Sequence, residues 1–172
     1  MAKMAGGVIK DVVDRYAGTQ MVLRNFFGMV NVPVHGRARA QRLWHVDTED
    51  YYVLKVYVFL TDVDDFRGPF DYVDATHPKG RFATTAARLM KHTFRKVRTD
   101  RYDFQVPDDL LYRAVRPDVV SRIHARPGDV LMFDARGIHR GGHVLSSTRR
   151  VAILTFTGRR TIHGTYPAES GW

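Results

Sequence analysis

Two residues with metal-binding side chains, His45 and Asp47, stand at the head of a long apolar run that covers residues 51–61. Side chains alternate between the two faces of a β-strand, so residues two apart point to the same side. His45 and Asp47 would therefore offer an imidazole nitrogen and a carboxylate oxygen to one cation. An isolated histidine–x–aspartate triplet is also typical of a surface histidine beside a capping aspartate, so a metal site needs a third ligand from elsewhere.

Among the seven other histidines, His139 is the best candidate for the third ligand. It follows an apolar run at residues 130–133 that is typical of a buried strand. It also precedes Gly141 and Gly142, which let a backbone pass close to a ligand. Two histidines and one carboxylate on one face of a metal, with other positions open, are the ligand set of non-haem iron(II) oxygenases. His143 is close enough in sequence to compete for the metal.

An arginine at the start of the last apolar strand indicates an anionic ligand. Arg150 stands eleven residues after His139 and opens the segment 150–156, whose neighbours are apolar. A buried arginine needs a partner, and the planar fork of its guanidinium suits a dicarboxylate. Because adjacent strand residues face opposite ways, we expect Arg150 to face inward and Arg149 outward.

The pattern of elements indicates a sandwich or barrel, because strands are many, helices are few and the two do not alternate regularly. Helical periodicity predicts helices over residues 8–17 and 82–97, and strands are predicted over 19–35, 51–61, 70–76, 130–133 and 149–158. Residues 98–118 are expected to be irregular with one helical turn near Leu110, and residues 136–147 to form a glycine-rich loop. Strand alternation places Leu54 and Val56 on one face of segment 51–61.

The motifs together resemble the phytanoyl-CoA dioxygenase family of iron(II)- and 2-oxoglutarate-dependent oxygenases. The resemblance runs over residues 42–158, with a weakly matching middle at 82–122. It is carried by the motifs WHVD (44–47), LTDVD (60–64), GPF (68–70), PGDVLMFD (127–134) and HRGG (139–142), and by an arginine eleven residues after the distal histidine.

This resemblance implies a mainly β protein with a double-stranded β-helix (jelly-roll, cupin-like) core and a few flanking helices. It implies that His45, Asp47 and His139 bind Fe(II) and that Arg150 pairs with the far carboxylate of 2-oxoglutarate. Tyr57 matches an aromatic residue that lines the cosubstrate pocket. Strand alternation then turns Lys55 and Phe59 inward as well, although an outward lysine stays open.

Two departures from the family pattern bear on the site and the domain. His77 ends a DATH segment (74–77) where the family has PGSH, and we expect it to be structural rather than a ligand. The region before residue 42 is short for the family. We expect one domain over residues 1–172, with core motifs at 42–80 and 123–158 and a lid or insert at 81–122.

Composition excludes several kinds of chemistry. The chain has no cysteine, so disulfides, thiolate zinc sites, iron–sulfur clusters and cysteine nucleophiles are excluded. No apolar stretch approaches the roughly 20 residues that span a bilayer, and no signal-peptide pattern opens the chain, so a cytoplasmic protein without a membrane partner is expected. The net charge of +9 is dispersed and interrupted by acids, which favours a solvated basic surface over nucleic-acid binding. The excess of positive charge favours an anionic small-molecule substrate, and a homo-oligomer stays open.

The expected function is hydroxylation of a C–H bond in a small organic substrate, with O₂ and 2-oxoglutarate consumed and succinate and CO₂ released. Retention of Asp47 favours hydroxylation over halogenation, because related halogenases have a small residue there. Two alternatives stay open. One is a cupin-like hydrolase or isomerase that uses a divalent metal, and the other is a non-catalytic basic binding module.

Overall fold

A computed structural model of the chain describes residues 7–34, 36, 42–96, 105–161 and 164–165. Its helices are α1 (Val8–Ala17), α2 (Ala83–Lys96) and α3 (Asp108–Ala114), with a 3-10 turn at Pro117–Val119. Its strands are β1 (Met21–Asn31), β2 (Trp44–His45), β3 (Val53–Phe59), β4 (Phe70–Val73), β5 (Gln105–Val106), β6 (Val120–Ile123), β7 (Val130–Asp134), β8 (His139–Gly141), β9 (Arg149–Gly158), β10 (Arg160–Thr161) and β11 (Gly164–Thr165). None of these helices is long and apolar enough to cross a membrane.

The strands form two antiparallel sheets of a double-stranded β-helix. The first sheet has the order β1-β9-β3-β7, and the second has the order β5-β2-β8-β4-β6; β10 and β11 form a separate hairpin. The odd-numbered strands β1, β3, β7 and β9 lie in the first sheet, so the chain crosses from one sheet to the other between most consecutive strands. The consecutive strands β4, β5 and β6 all lie in the second sheet. This winding is that of a jelly roll, so the predicted fold class is confirmed.

Strand β3 packs against a helix on its outer face and lines a cavity on its inner face. Its outer side chains Leu54 and Val56 pack against Val13 and Ala17 of α1. The helix ends where Gly18 takes a left-handed conformation (φ 71°) and donates its N–H to the Asp14 carbonyl. The inner face of β3 lines the cavity between the sheets. The predicted helix over residues 8–17 and the predicted faces of segment 51–61 are confirmed.

The described part of segment 81–122 covers the outer face of the second sheet. Leu89 of α2 and Leu111 of α3 pack in one cluster with Trp44 and Ile138. Trp44 and Ile138 directly precede His45 and His139 of the candidate site. Because adjacent residues of a strand face opposite ways, both side chains point away from the cavity. Helix α3 has seven residues and is longer than the single turn predicted there. The role of the segment as a lid stays a prediction.

Strands β6 and β8 are two of several short strands that the sequence pattern did not predict. Residues 136–147 were expected to form a loop, but His139–Gly141 is a three-residue strand held between β2 and β4. Strand β6 pairs with β4 along its whole length. These two strands have only four and three residues, which is too short for a clear sequence pattern. They are stabilised by pairing with strands that are distant in sequence.

Candidate metal centre

His45 and His139 lie directly opposite each other on paired strands. They are register partners of β2 and β8, and their ring centroids are 4.3 Å apart. Asp47 follows the end of β2 and is anchored by its backbone N–H, which donates to the Ala135 carbonyl at 2.8 Å. One ligand atom from each of these three residues lies within 4.8 Å of the others. In the part of the chain that the structure describes, this is the only group of three or more metal-binding side chains.

The hydrogen bonds of both imidazoles leave the same ring nitrogen free for a metal. His45 Nδ1 lies 2.8 Å from the Leu43 carbonyl, and His139 Nδ1 lies 2.9 Å from the Gly137 carbonyl. A carbonyl oxygen only accepts hydrogen bonds, so each Nδ1 carries the proton and each Nε2 keeps its lone pair. Both Nε2 atoms are 3.9 Å from an oxygen of Asp47. The donor set therefore fits a divalent cation bound by two neutral imidazoles and a carboxylate.

Burial sets the charge states that such a cation requires. It lowers the pKa of His139 to about 3, with His45 adding to the effect, and it also lowers the pKa of His45. Burial alone would raise the pKa of Asp47, but His139 and Lys55 outweigh it and lower that pKa below its usual range. At neutral pH the two rings are neutral and the carboxylate is charged, which are the metal-binding forms.

A cavity of about 340 Å³ opens beside this cluster and is large enough for small organic ligands. Tyr57 and Phe59 line it from the inner face of β3, and Phe27 and Met29 line it from β1. The predicted inward orientation of Tyr57 is confirmed, whereas its contact with a cosubstrate stays a prediction. The inward orientation of Lys55 is also confirmed, because its Nζ lies 2.5 Å from Asp47 Oδ2.

The prediction that Arg150 faces the cavity is wrong by one residue. Arg149 is only 7% exposed and lines the cavity, whereas Arg150 is exposed on the other side of β9. Adjacent strand residues do face opposite ways, as expected, but the pairing of β9 with its neighbours turns Arg149 and not Arg150 inward. In the pairing of β1 with β9, Arg149 is the partner of Asn31, and both side chains line the cavity.

Arg149 and Asn31 carry buried donors that the protein does not satisfy. Arg149 Nη1 donates to the Gly68 carbonyl, but Arg149 Nε and Asn31 Nδ2 are buried without a hydrogen-bond partner. Buried unpaired donors are rare and costly, so an acceptor is expected at this end of the cavity. Asn31 was not among the residues predicted from sequence. Its inward spacing from Phe27 and Met29 on a period of two was the available signal.

Neither of the other two histidines considered from sequence belongs to the cluster. His143 is not a member of the three-residue group, and its Nε2 is hydrogen-bonded to the Val34 carbonyl at 2.7 Å. His77 lies in a different place, where its Nδ1 is 3.2 Å from the Tyr16 hydroxyl. His35 and His163 lie outside the described residues.

Fold and site together define a double-stranded β-helix protein with a cluster of two histidines and one carboxylate inside the barrel. No protein-family model matches the chain. In sequence it is similar to an L-proline trans-4-hydroxylase from Streptomyces griseoviridis, with 25% identity over 118 residues. That match covers 67% of this chain and 44% of the hydroxylase.

Solved structures with the same fold include enzymes that bind iron or 2-oxoglutarate. EctD from S. alaskensis, crystallised with bound Fe, has a TM-score of 0.65 at 17% identity, covering 100% of this chain and 58% of EctD. EctD has also been crystallised with 2-oxoglutarate and 5-hydroxyectoine. SnoN, a non-heme α-ketoglutarate-dependent epimerase from nogalamycin biosynthesis, has a TM-score of 0.58 at 17% identity, covering 89% of this chain and 55% of SnoN.

These comparisons confirm the predicted resemblance to 2-oxoglutarate-dependent oxygenases and the predicted jelly-roll fold. The chain spans less than two thirds of the length of each of these relatives.

Proposed function

We propose that the protein is an Fe(II)- and 2-oxoglutarate-dependent oxygenase that hydroxylates a C–H bond of a small organic substrate. The observation that carries the proposal is that one cavity joins the histidine–aspartate cluster to the unpaired donors of Arg149 and Asn31. Three metal-binding side chains alone would suit many reactions. Three such side chains beside a cationic pocket with unpaired donors suit a diacid that chelates a metal with one end and ion-pairs with the other.

Each residue has a separate task in this proposal. His45, Asp47 and His139 would hold the iron. Arg149 and Asn31 would fix the far carboxylate of 2-oxoglutarate, and Tyr57 would form the wall beside it. When bound, iron and 2-oxoglutarate supply the oxidising chemistry, in which O₂ is consumed and succinate and CO₂ are released.

The cavity also indicates the kind of substrate. Three cationic side chains, Arg42, Lys55 and Arg149, line it, and no carboxylate does so among the residues that the structure describes. The excess of positive charge favours an anionic substrate. Aromatic side chains, including Phe59 and Phe70, make up much of the remaining wall and would exclude water from the reacting carbon.

Metal and cosubstrate binding test the proposal without knowledge of the substrate. Under anaerobic conditions, the purified protein should bind one Fe(II) per chain and then show the absorption band that appears when 2-oxoglutarate chelates iron. His45→Ala, Asp47→Ala and His139→Ala should each lose most of the iron, because each removes one of three protein ligands. His143→Ala is the control and should retain it, since His143 lies outside the group of three ligands.

The alternatives give different results in the same experiments. A hydrolase or isomerase on this fold would bind a divalent metal at the three ligands but would not form succinate from 2-oxoglutarate. A binding module would keep its function in the His45→Ala variant and would lose it steeply with salt. Unchanged iron content in all three ligand variants would contradict the metal centre itself.

A further inference from the structure

One buried cation beside the metal ligands has no task in the proposed chemistry. Lys55 Nζ lies 2.5 Å from Asp47 Oδ2, and the two side chains are only 14% and 13% exposed. We infer that Lys55 is a built-in counterion of Asp47 in the metal-free protein and competes with a divalent cation for that carboxylate. The inference rests on the proposed metal centre, and it assigns to Lys55 control over metal affinity.

The position of the ammonium group supports competition for Asp47. Lys55 contacts Asp47 Oδ2, the oxygen that lies 3.9 Å from His139 Nε2, while Asp47 Oδ1 lies 3.9 Å from His45 Nε2. Lys55 also lines the same cavity as His45 and His139. The ammonium group therefore neutralises the carboxylate that a cation at these histidines would need.

The charge of Lys55 has opposite effects on the metal-free and the metal-bound protein. Without a metal and without Lys55, Asp47 would be a buried carboxylate with no counter-charge, which is a strongly destabilising arrangement. With a divalent cation at the three ligands, the ammonium would be a like charge a few ångströms away in a site with little water. The same lysine thus stabilises the first state and opposes the second.

The cavity offers a displaced Lys55 no other protein carboxylate. Among the described residues that line the cavity, the charged side chains are Arg42, Lys55 and Arg149, and all three are cationic. The flexible stem of a lysine lets the ammonium move away from Asp47. Asp74 and Asp134 line a second cavity that Lys55 also borders, but within the cavity beside the metal ligands its available partner is an acidic group on a bound ligand. Metal uptake would in this way turn Lys55 from a counterion of Asp47 into a cation facing an anionic ligand.

Lys55→Met tests the inference, because methionine keeps most of the length of the side chain and removes its charge. Metal-free Lys55→Met should melt at a lower temperature than the wild type, since Asp47 loses its counter-charge. It should bind Co(II) about 10- to 100-fold more tightly, since a competing cation is gone. The rise in melting temperature on adding Co(II) should therefore be larger in Lys55→Met than in the wild type. A purely structural role of Lys55 would lower the melting temperature of the metal-free protein but would not increase this rise.

Two further variants serve as controls. Lys79→Met removes a lysine whose Nζ donates to the Tyr16 carbonyl at 3.0 Å, away from the cavity, and should bind Co(II) like the wild type. Lys55→Arg keeps the positive charge and should bind Co(II) no more tightly than the wild type. Lys55→Gln repeats the neutral substitution if Lys55→Met does not fold.

The outcomes separate this inference from the proposed function. Equal or weaker Co(II) binding in folded Lys55→Met or Lys55→Gln, with His45→Ala losing the metal, would overturn the role of Lys55 and leave the metal centre in place. Unchanged Co(II) binding in His45→Ala would instead remove the metal centre on which both ideas depend.

Discussion

At the scale of single residues, Arg149 and Arg150 are adjacent in sequence but lie on opposite faces of β9. Arg149 is buried with an unpaired Nε beside the unpaired Nδ2 of Asn31, whereas Arg150 is exposed on the outer face. An arginine buried without an acid is stable only with an acceptor at its fork. Among the described residues, the Gly68 carbonyl accepts from Arg149 Nη1, and no acceptor faces Nε.

Arg149→Ala should therefore weaken 2-oxoglutarate binding strongly, while Arg150→Ala should be nearly neutral. Loss of a charged, partly buried contact is worth roughly 2–4 kcal/mol, which corresponds to about 30- to 1,000-fold in the dissociation constant. Iron affinity should change little, because neither arginine is a ligand. The measurement is an anaerobic titration of iron-loaded protein with 2-oxoglutarate. A larger effect from Arg150→Ala than from Arg149→Ala would contradict the orientation of β9.

At the scale of elements, helix α3 braces the two strands that carry the histidines. Asp108 in its first turn accepts hydrogen bonds from Trp44 Nε1 at 2.6 Å and from Arg140 Nη1 at 3.0 Å. The guanidinium of Arg140 also lies 4.1 Å from the centre of the Trp44 ring. Trp44 directly precedes one metal ligand and Arg140 directly follows the other, so this contact behind the sheet holds β2 and β8 together.

Asp108→Ala should destabilise the fold by about 1–3 kcal/mol, because it leaves the N–H of the buried Trp44 unpaired. Asp109→Ala is a matched control from the same helical turn. Asp109 is exposed and contacts only an exposed arginine, at 3.7 Å, so its loss should change stability by less than about 0.5 kcal/mol. Urea unfolding of the three proteins measures the difference. Equal destabilisation by the two substitutions would show that the brace contributes nothing beyond helix capping.

At the scale of the whole molecule, the buried histidines link folding to pH. His139 is 2% exposed, and burial lowers its pKa to about 3. In the unfolded chain the same ring takes a proton below about pH 6.5. Between these two values the unfolded state binds more protons than the folded state, so the stability of the metal-free protein falls as pH falls through that window.

The contribution of His139 to this loss should be about 2 kcal/mol at pH 5. We expect the free energy of unfolding of metal-free wild type to fall more between pH 7.5 and pH 5 than that of His139→Asn, which has no titrating ring at this position. Urea unfolding at the two pH values gives the comparison, and the carboxylates other than Asp47, whose pKa depends on His139, contribute to both proteins alike. A parallel decline in wild type and variant would mean that His139 titrates in the folded state as it does in the unfolded chain.

The sequence by itself determined the features that depend on local spacing. Helical periodicity predicted α1, and alternation on a period of two turned Lys55, Tyr57 and Phe59 toward one face, because both patterns are set by backbone geometry within one element. The His45–Asp47 spacing and the position of His139 in a recognisable motif were equally local. Local spacing therefore predicted the three candidate metal ligands and the inner face of β3.

Tertiary structure decided every feature that depends on how distant segments meet. The pairing of β9 with β1 and β3 turned Arg149 inward instead of Arg150, and it placed Asn31 of β1 beside Arg149. The contact between Lys55 and Asp47 joins an inner face of one sheet to the end of a strand in the other. These relations follow from loop lengths and from packing between sheets, which no periodicity within a single segment records.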